Sequence, residues 1–107
     1  MKEAEFQRQV IQLAQLHQWR VAHFRGVKTP TGYRTPVAAD GAGFPDLVMA
    51  KKGLIIFAEL KAEKGRLSVE QEKWIESLGP STESRLVVVW RPSDWPAIER
   101  AIVNGEW

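Results

Sequence analysis

The sequence predicts an α/β fold in which a mixed central β-sheet is flanked by helices, in the order αβββαβα. Three observations predict it: apolar residues at helical spacing near the N terminus, two apolar β-branched runs joined by a glycine-containing turn, and a helical segment that separates those runs from a later apolar strand. The paired runs form an antiparallel hairpin. A helix that crosses over to a further strand then makes the sheet mixed.

The N-terminal part of the chain contains the first helix and the first strand. Residues 2–17 place Phe6, Val10 and other apolar side chains at helical spacing, which predicts an amphipathic helix with one buried stripe. Residues 19–24 are predicted to form a strand. Residues 25–44 contain four glycines and two prolines without a clear period, which indicates a functional or mobile connection rather than a simple turn.

A β-hairpin is predicted by two short runs on either side of a turn. Residues 47–50 and 54–58 are rich in apolar and β-branched side chains, and Lys52-Gly53 supplies a two-residue turn between them. The length of the turn fixes the register, so the sequence also predicts which side chains meet across the two strands.

The register of this hairpin brings two acids and a lysine together. Lys51 faces Leu54, and counting outward from that pair places Asp46 opposite Glu59. Side chains alternate along a strand, so Glu59 and Lys61 share one face and lie roughly 7 Å apart. One face of the hairpin is therefore predicted to carry two carboxylates and an ammonium group.

A second helix, a further strand and a last helix follow the hairpin. Ser68 and Gln71 have the spacing of a capping box, which predicts a helix that continues to about Leu78 and ends at Gly79-Pro80. Residues 85–90 form a nearly unbroken apolar run, as expected for a strand covered on both faces. The remaining predicted element is a helix from Ser93-Asp94 to about Asn104-Gly105.

The charged side chains of the hairpin have the chemistry that phosphodiester hydrolysis needs. A hard divalent cation takes oxygen ligands, neutralises charge that develops on the phosphate and lowers the pKa of a bound water. Asp46, Glu59 and the backbone carbonyl of Leu60 can supply such ligands. The ammonium of Lys61 can orient the attacking water or stabilise the transition state.

A simpler alternative is that Glu59-Leu60-Lys61 ends a strand in water and forms a cross-strand ion pair. Two features of the surrounding sequence favour the catalytic interpretation. Glu59 and Lys61 interrupt a run that otherwise has the composition of a buried strand, and Pro45 fixes the entry to the strand that follows Asp46.

Several short strings in the chain resemble those of a known nuclease family. They are Phe44-Pro45-Asp46, Glu59-Leu60-Lys61 and Arg66-Leu67-Ser68-Val69-Glu70-Gln71, accompanied by a Glu-containing first helix at residues 3–7 and an apolar strand at residues 87–90. Together they resemble the PD-(D/E)XK nucleases, specifically the VRR-NUC family. The resemblance implies a restriction-endonuclease-like core that cuts DNA with Mg²⁺ or Mn²⁺. In stand-alone members it implies branched DNA, including four-way (Holliday) junctions, resolved by a homodimer.

The resemblance also implies an additional acid from the first helix and a site role for Gln71. Glu3 and Glu5 are both candidates for the acid, and we expect Glu3, because helix periodicity projects it toward the stripe of Phe6 and Val10. The alternative is that both acids only stabilise the helix N terminus through the macrodipole. For Gln71 the capping box is a sufficient reason by itself, so both interpretations stay open.

Basic residues are concentrated where DNA would approach the predicted site. We expect Arg25, Lys28, Lys64 and Arg66 to contact backbone phosphates. The lysines of the hairpin turn lie at the far end from Asp46 and are interpreted as solubilising charges.

Composition excludes several classes of protein. With 107 residues we expect one domain, residues 1–107, with one modest core. The absence of cysteine excludes disulfides and thiolate metal sites and fits a reducing cytoplasm, where we expect the protein to stay. No apolar run approaches about 18 residues, so we expect neither a membrane span nor a signal peptide, and we expect no organic cofactor. A net charge of +2 permits a polyanionic partner without requiring one.

Three functions therefore compete at the level of sequence. The leading one is a structure-specific endonuclease that acts as a homodimer, because a core this small presents one active site and symmetric cutting of two strands needs two. The second is a flap or nicking nuclease. The third is a nucleic-acid-binding module that no longer cuts, against which the intact Asp46, Glu59 and Lys61 argue.

Overall fold

The structure is a computed structural model that describes residues 1–24 and 37–107 and, between them, the backbone of two short strands. In chain order, its helices and strands are α1 (Glu3–Leu16), β1 (Arg20–His23), β2 (Val27–Thr29), β3 (Gly32–Arg34), β4 (Leu47–Lys51), β5 (Leu54–Leu60), α2 (Val69–Leu78), β6 (Arg85–Trp90), a 3-10 turn (Pro92–Asp94) and α3 (Trp95–Asn104).

The main sheet has four strands in the order β1-β4-β5-β6. β4 pairs antiparallel with β1 and with β5, whereas β5 pairs parallel with β6. The parallel pair is possible because α2 carries the chain from the end of β5 back to the start of β6. The predicted mixed sheet and the order αβββαβα are confirmed for this sheet and its helices.

The segment 25–44 contains more regular structure than its sequence predicts. β2 and β3 form a separate antiparallel two-stranded ribbon there. Each strand has only three residues, which is too short for alternation to be visible among the glycines and prolines. None of the helices in the described chain is long and apolar enough to cross a membrane.

The β4–β5 hairpin has the predicted register. Its two turn residues, Lys52 and Gly53, have φ of 48° and 86°, as in the type I′ turn that suits the twist of a hairpin. Pairing runs from Lys51 with Leu54 outward to Leu47 with Ala58. The residues next in order beyond that last pair are Asp46 and Glu59.

The apolar core lies on one face of the sheet, under α1 and α3. The predicted stripe of α1 is confirmed, since Phe6, Val10 and Ala14 are fully buried. The Trp19 indole N–H donates to the carbonyl of Ile102 at 2.9 Å and joins the end of α1 to α3. The sheet contributes alternate residues to this core, among them Leu47, Met49, Ile56, Ala58 and Leu60.

The opposite face of the sheet is next to α2, which, unlike α1 and α3, contributes no fully buried residue. Every residue of α2 is half-buried or exposed. The predicted capping box is present, because Ser68 Oγ accepts from the Gln71 N–H and Gln71 Oε1 accepts from the Ser68 N–H. The helix ends at Gly79, whose φ is 80°.

The expectation that β6 is covered on both faces is confirmed only in part. β6 is the outermost strand of the sheet in the described part of the chain, and Val87, Val88 and Val89 are only half-buried. Its outer edge is protected by the segment before it: Ser81 Oγ accepts from the Val87 N–H at 2.9 Å. The strand is apolar because both faces are partly covered, which sequence does not distinguish from full burial.

Candidate active site

Asp46 is fixed at the point where the chain enters β4. The preceding residue, Pro45, is buried. The Phe24 N–H donates to the backbone carbonyl of Asp46 at 2.8 Å, which extends the β1–β4 pairing by one residue. The Asp46 carboxylate reaches across the hairpin, and its Oδ2 accepts from the Leu60 N–H at 2.8 Å. Asp46 is thereby joined to the strand segment that also carries Glu59.

Glu59 is a buried acid, with only 3% of its surface exposed. It lies on the face of β5 opposite Ala58 and Leu60, because side chains alternate along the strand. Its Oε1 accepts from Gln71 Nε2 at 2.8 Å. Its Oε2 is buried and finds no hydrogen-bond donor among the described residues. A buried carboxylate oxygen without a donor is costly unless it shares a proton or binds a cation.

Burial makes both carboxyl groups harder to ionise, and the Asp46 carboxyl adds to this effect for Glu59. Burial, followed by repulsion from Asp46, raises the pKa of Glu59 from 4.5 to about 9. Burial also raises the pKa of Asp46, against the opposing effect of the Leu60 N–H. The charge of the half-buried Lys61 acts on both groups in the opposite direction but does not cancel the effect of burial. At neutral pH this pair therefore favours a shared proton or an added positive charge.

The pair fits a divalent cation. Oxygen ligands suit Mg²⁺ and Mn²⁺, and Mg²⁺ is typically held by one or two protein carboxylates together with water and phosphate oxygens. In residues 1–24 and 37–107 no three acidic or histidine side chains lie close enough to hold a metal ion together. A cation bound here would be held by the carboxylates of Asp46 and Glu59. The carbonyl of Leu60 stays a predicted third ligand.

Gln71 uses both ends of its side-chain amide. Oε1 accepts from the Ser68 N–H at 2.8 Å and caps α2, while Nε2 donates to Glu59. The two interpretations that sequence left open for this residue are compatible, because capping uses the oxygen and leaves the nitrogen free to reach the site. The start of α2 is thus tied directly to a site carboxylate.

Gly43 brings the loop before Asp46 against the same turn of α2. Its φ is +81°, and a methyl group there would lie 2.5 Å from the carbonyl carbon of Glu70 and 2.7 Å from the nitrogen of Gln71. Only glycine allows this approach. The ring of Phe44 then packs edge-on against Trp74 of α2, with the ring centroids 4.9 Å apart. Gly43 and Phe44 therefore align Asp46 with the helix that supplies Gln71.

The sequence model of the VRR-NUC domain family matches residues 36–90. That is half of the chain, and it includes both carboxylates, Lys61 and Gln71. The chain belongs to the VRR-NUC family. The resemblance seen in its short motifs is confirmed, and VRR-NUC membership makes the domain a nuclease with DNA as its substrate. No curated protein matches the chain.

The N-terminal acids lie outside the segment matched to VRR-NUC. Glu3 and Glu5 are both exposed in the first turn of α1. A short connection joins α1 to β1, so the helix N terminus points toward the end of the sheet where Asp46 lies. Glu3 is in line with the buried stripe and Glu5 is not. Neither is brought into contact with Asp46 or Glu59 by a described hydrogen bond, so the site role of Glu3 stays a prediction.

The predicted DNA-binding residues of this VRR-NUC domain are only partly described. Lys64 and Arg66 are exposed in the loop that follows β5, close in sequence to Lys61. Arg25 lies outside the described residues. Lys28 belongs to β2, and its side chain is also outside the described part. Phosphate contact by these four residues stays a prediction.

Arg91 is a residue near the site that sequence reasoning missed. It follows β6 directly, and its Nη1 donates to the carbonyls of Ala62 at 2.8 Å and Gly65 at 2.7 Å. These acceptors are backbone groups more than twenty residues away in the chain. No local spacing indicates such a contact, so only the folded structure reveals it.

Proposed function

We propose that this VRR-NUC chain is a divalent-metal-dependent endodeoxyribonuclease that hydrolyses phosphodiester bonds of branched DNA. The observation that supports it best is the buried Oε2 of Glu59, which lacks a donor among the described residues and belongs to a carboxyl next to that of Asp46. A buried acid beside a half-buried one, both with raised pKa values, is better suited to binding a cation than to stabilising the fold.

Each residue of the site has a distinct role in this proposal. Asp46 and Glu59 would hold Mg²⁺ or Mn²⁺, with the carbonyl of Leu60 as a further ligand. When bound, the cation supplies charge that offsets the developing negative charge of the phosphate and lowers the pKa of a water molecule. Lys61, two residues after Glu59 on the same face, stabilises the additional negative charge of the transition state. Gln71 orients the carboxylate of Glu59 through its Nε2.

A four-way junction or another branched DNA is the proposed substrate, and a homodimer is the proposed active form. One domain of this size presents one Asp46–Glu59 pair. Symmetric cutting of two strands needs two such pairs related by a twofold axis. The exposed Lys64 and Arg66, beside Lys61, are suited to contact phosphates on either side of the cut.

Cleavage assays on a panel of DNA substrates test the proposal. Linear, nicked, flap, fork and four-way DNAs would each be incubated with the protein in Mg²⁺, Mn²⁺ or a chelator. We expect the fastest cleavage on a branched substrate, inside the strand, and no cleavage in chelator. Undiminished cutting in chelator would refute the metal dependence, and preferred cutting of flaps or nicks would select the alternative nuclease.

A protein that binds these DNAs but cuts none of them in either metal would be the non-cleaving module. Gel filtration combined with light scattering tests the homodimer independently. A monomeric mass at the concentrations that support junction cleavage would contradict it.

The proposed role of Glu3 has its own matched control in Glu5. Both acids are exposed in the same helical turn, so Glu3→Gln and Glu5→Gln should change stability equally through the helix dipole. We expect Glu3→Gln to lower the cleavage rate more, because only Glu3 is in line with the sheet-facing stripe. Equal rates in the two variants would leave both acids with the dipole role alone.

A further inference from the structure

The turn that follows Lys61 is held from outside by Arg91. The turn consists of residues 62–65 and is closed by the Gly65 N–H, which donates to the Ala62 carbonyl at 3.0 Å. Arg91 Nη1 donates to the Ala62 and Gly65 carbonyls at 2.8 and 2.7 Å and lies 3.4 Å from that of Glu63. One half-buried guanidinium thus contacts three of the four carbonyls of the turn.

A second contact joins the same two segments. The carboxylate of Glu63 accepts from the Ser93 N–H at 3.1 Å. On the strand side, the Lys61 N–H donates to the Trp90 carbonyl at 3.0 Å. Residues 61–65 are therefore anchored to residues 90–93 at three successive points.

The anchored turn passes beside the side chain of Lys61. A methyl group added at Gly65 would lie 3.4 Å from Cδ of Lys61, an ordinary van der Waals distance. The stem of Lys61 therefore passes close to Gly65, in the turn that Arg91 holds. The direction of the ammonium depends on where this turn lies, because a long flexible side chain has no rotamer preference strong enough to fix its tip.

We propose that Arg91 is a positioning residue for Lys61: by holding the 62–65 turn, it keeps the Lys61 ammonium at the phosphate. The proposal rests on the proposed nuclease function. Arg91 itself is committed to backbone carbonyls, and its own N–H is bonded to Asp94 Oδ2 at 2.9 Å. It acts through Lys61 and does not touch the reacting atoms.

Arg85, at the opposite end of β6 from Arg91, provides a matched control. It begins β6, and its Nη2 donates to the carbonyl of Pro80 at 3.2 Å, so it also holds a loop by a backbone carbonyl. It pairs with Ile55, at the hairpin-turn end of the sheet. Loss of either guanidinium removes an anchor of a loop backbone, but only Arg91 is next to the site.

The test is a double-mutant cycle measured in single-turnover cleavage of the best wild-type substrate. Methionine keeps the aliphatic stem and removes the donors, so Arg91→Met should slow cleavage by about tenfold, the scale of a small misplacement of a catalytic group. Its DNA Kd should change by less than about twofold, because many phosphate contacts share the binding energy. Arg85→Met should cleave at the wild-type rate.

The decisive comparison is made in the Lys61→Ala background. If Arg91 acts through Lys61, adding Arg91→Met to Lys61→Ala should slow cleavage no further, whereas independent effects would multiply. Arg91→Lys should recover part of the rate, since an ammonium can donate to the same carbonyls but is one bond shorter. Multiplicative effects, or a wild-type rate in folded Arg91→Met, would overturn the proposal.

Two further measurements keep the test decisive. Hydrogen exchange of the 61–67 backbone should be faster in Arg91→Met than in Arg85→Met, and unchanged exchange would overturn the proposal even if the wild-type protein cuts no DNA. If the wild-type protein cuts no DNA, the proposed nuclease function fails, and this failure is distinct from the outcome for Arg91. If Arg91→Met does not fold, Glu63→Ala removes the exposed second contact, and its smaller rate loss should also disappear in the Lys61→Ala background.

Discussion

The face of the central sheet under α1 and α3 is apolar and closed, whereas the opposite face, next to α2, is partly open and carries the charged groups of the site at one end. Both faces are built from the same strands. On β5, Ala58 and Leu60 point into the core while Glu59 points toward α2, and Lys61 follows directly after the strand. The helices differ in the same way: α1 contributes fully buried Phe6 to the core, and α2 is held by hydrogen bonds and a close glycine contact.

This difference separates stability from chemistry within a single small domain. Burial of apolar surface on the closed face provides the main favourable free energy of folding. The open face can then accommodate a buried and a half-buried carboxyl with raised pKa values, which are unfavourable for folding until a cation joins them. Variants on the two faces should therefore fail in different assays.

The largest effect is expected on the closed face. Phe6→Ala should lower the free energy of unfolding by about 3–5 kcal/mol, because Phe6 is fully buried and leaves a cavity. Chemical denaturation measures this loss, and exposed Glu5→Ala is the control. Below the melting transition the folded variant should still cleave DNA. A folded Phe6→Ala protein without cleavage activity would contradict the assignment of stability to one face and chemistry to the other.

Next in size is Lys61→Ala on the open face, which should slow cleavage by on the order of 100-fold, as when one electrostatic contact to a transition state is lost. Its denaturation midpoint and its affinity for Mn²⁺ should stay close to those of the parent. Asp46→Asn should behave differently and lose Mn²⁺ affinity as well as rate, because an anionic ligand is removed.

Lys52→Ala, in the hairpin turn, is the control for these two variants and should cleave normally. A wild-type rate for folded Lys61→Ala on a junction that the parent cuts would show that Lys61 is an ordinary surface residue at a strand end.

An intermediate effect on both properties is expected for Gly43→Ala, because Gly43 joins the two regions. The methyl group would overlap the backbone of Glu70 and Gln71, so stability should fall by about 1–3 kcal/mol and the displaced Gln71 should slow cleavage. Gly53→Ala is the matched control: its φ is +86°, similar to that of Gly43, but a methyl group there meets no atom within 4 Å. Equal losses in the two variants would show that the close approach to α2 is unimportant.

The last prediction concerns titration rather than loss of fold or activity. Burial raises the pKa of Glu59 to about 9, whereas a hydrogen bond from Ser93 lowers the pKa of the exposed Glu63. Without a cation, the folded protein keeps a proton on Glu59 that the unfolded chain releases above about pH 4.5. The resulting stability is complete below pH 4.5 and is lost as pH rises through 9.

Thermal melting between pH 5 and pH 9 checks this prediction. Glu59→Gln should remove the decline, and Mg²⁺ should raise the melting temperature of the parent more at pH 8 than at pH 6, since its binding needs the ionised pair. Glu63 contributes with the opposite sign, because its stabilisation is present above pH 4.5 and lost as pH falls. A parent protein whose stability rises steadily from pH 5 to pH 9 in chelator would contradict the assignment for Glu59.

The features that sequence predicted correctly depend on local geometry. The turn at Lys52-Gly53 and the alternation of strand residues are sufficient to place Asp46 opposite Glu59. The cap of α2 follows from the spacing of Ser68 and Gln71 alone. For the same reason the limits of α2 and β6 could be given to within about a residue.

The features that sequence missed depend on partners far away in the chain. The contact of Arg91 with the 62–65 turn and the packing of Gly43 on α2 both join backbone groups that carry no side-chain signal. The incomplete burial of β6 was missed because half-burial on two faces and full burial select similar residues. The contacts between Gln71 and Glu59 and between Asp46 and Leu60 needed the fold to bring their atoms within 3 Å.

The hairpin turn at Lys52-Gly53 makes the domain sensitive to a change in length rather than in chemistry. Substitutions in the turn should be tolerated, since its side chains are exposed. Insertion of a single residue there that slipped the register by one would send Glu59 and Lys61 into the core and bring Ala58 and Leu60 to the open face. The length of a turn roughly 20 Å from the carboxylates thus decides whether the two carboxylates meet. In a library of variants, this turn should accept nearly any pair of residues that is compatible with positive φ. It should accept almost no inserted third residue.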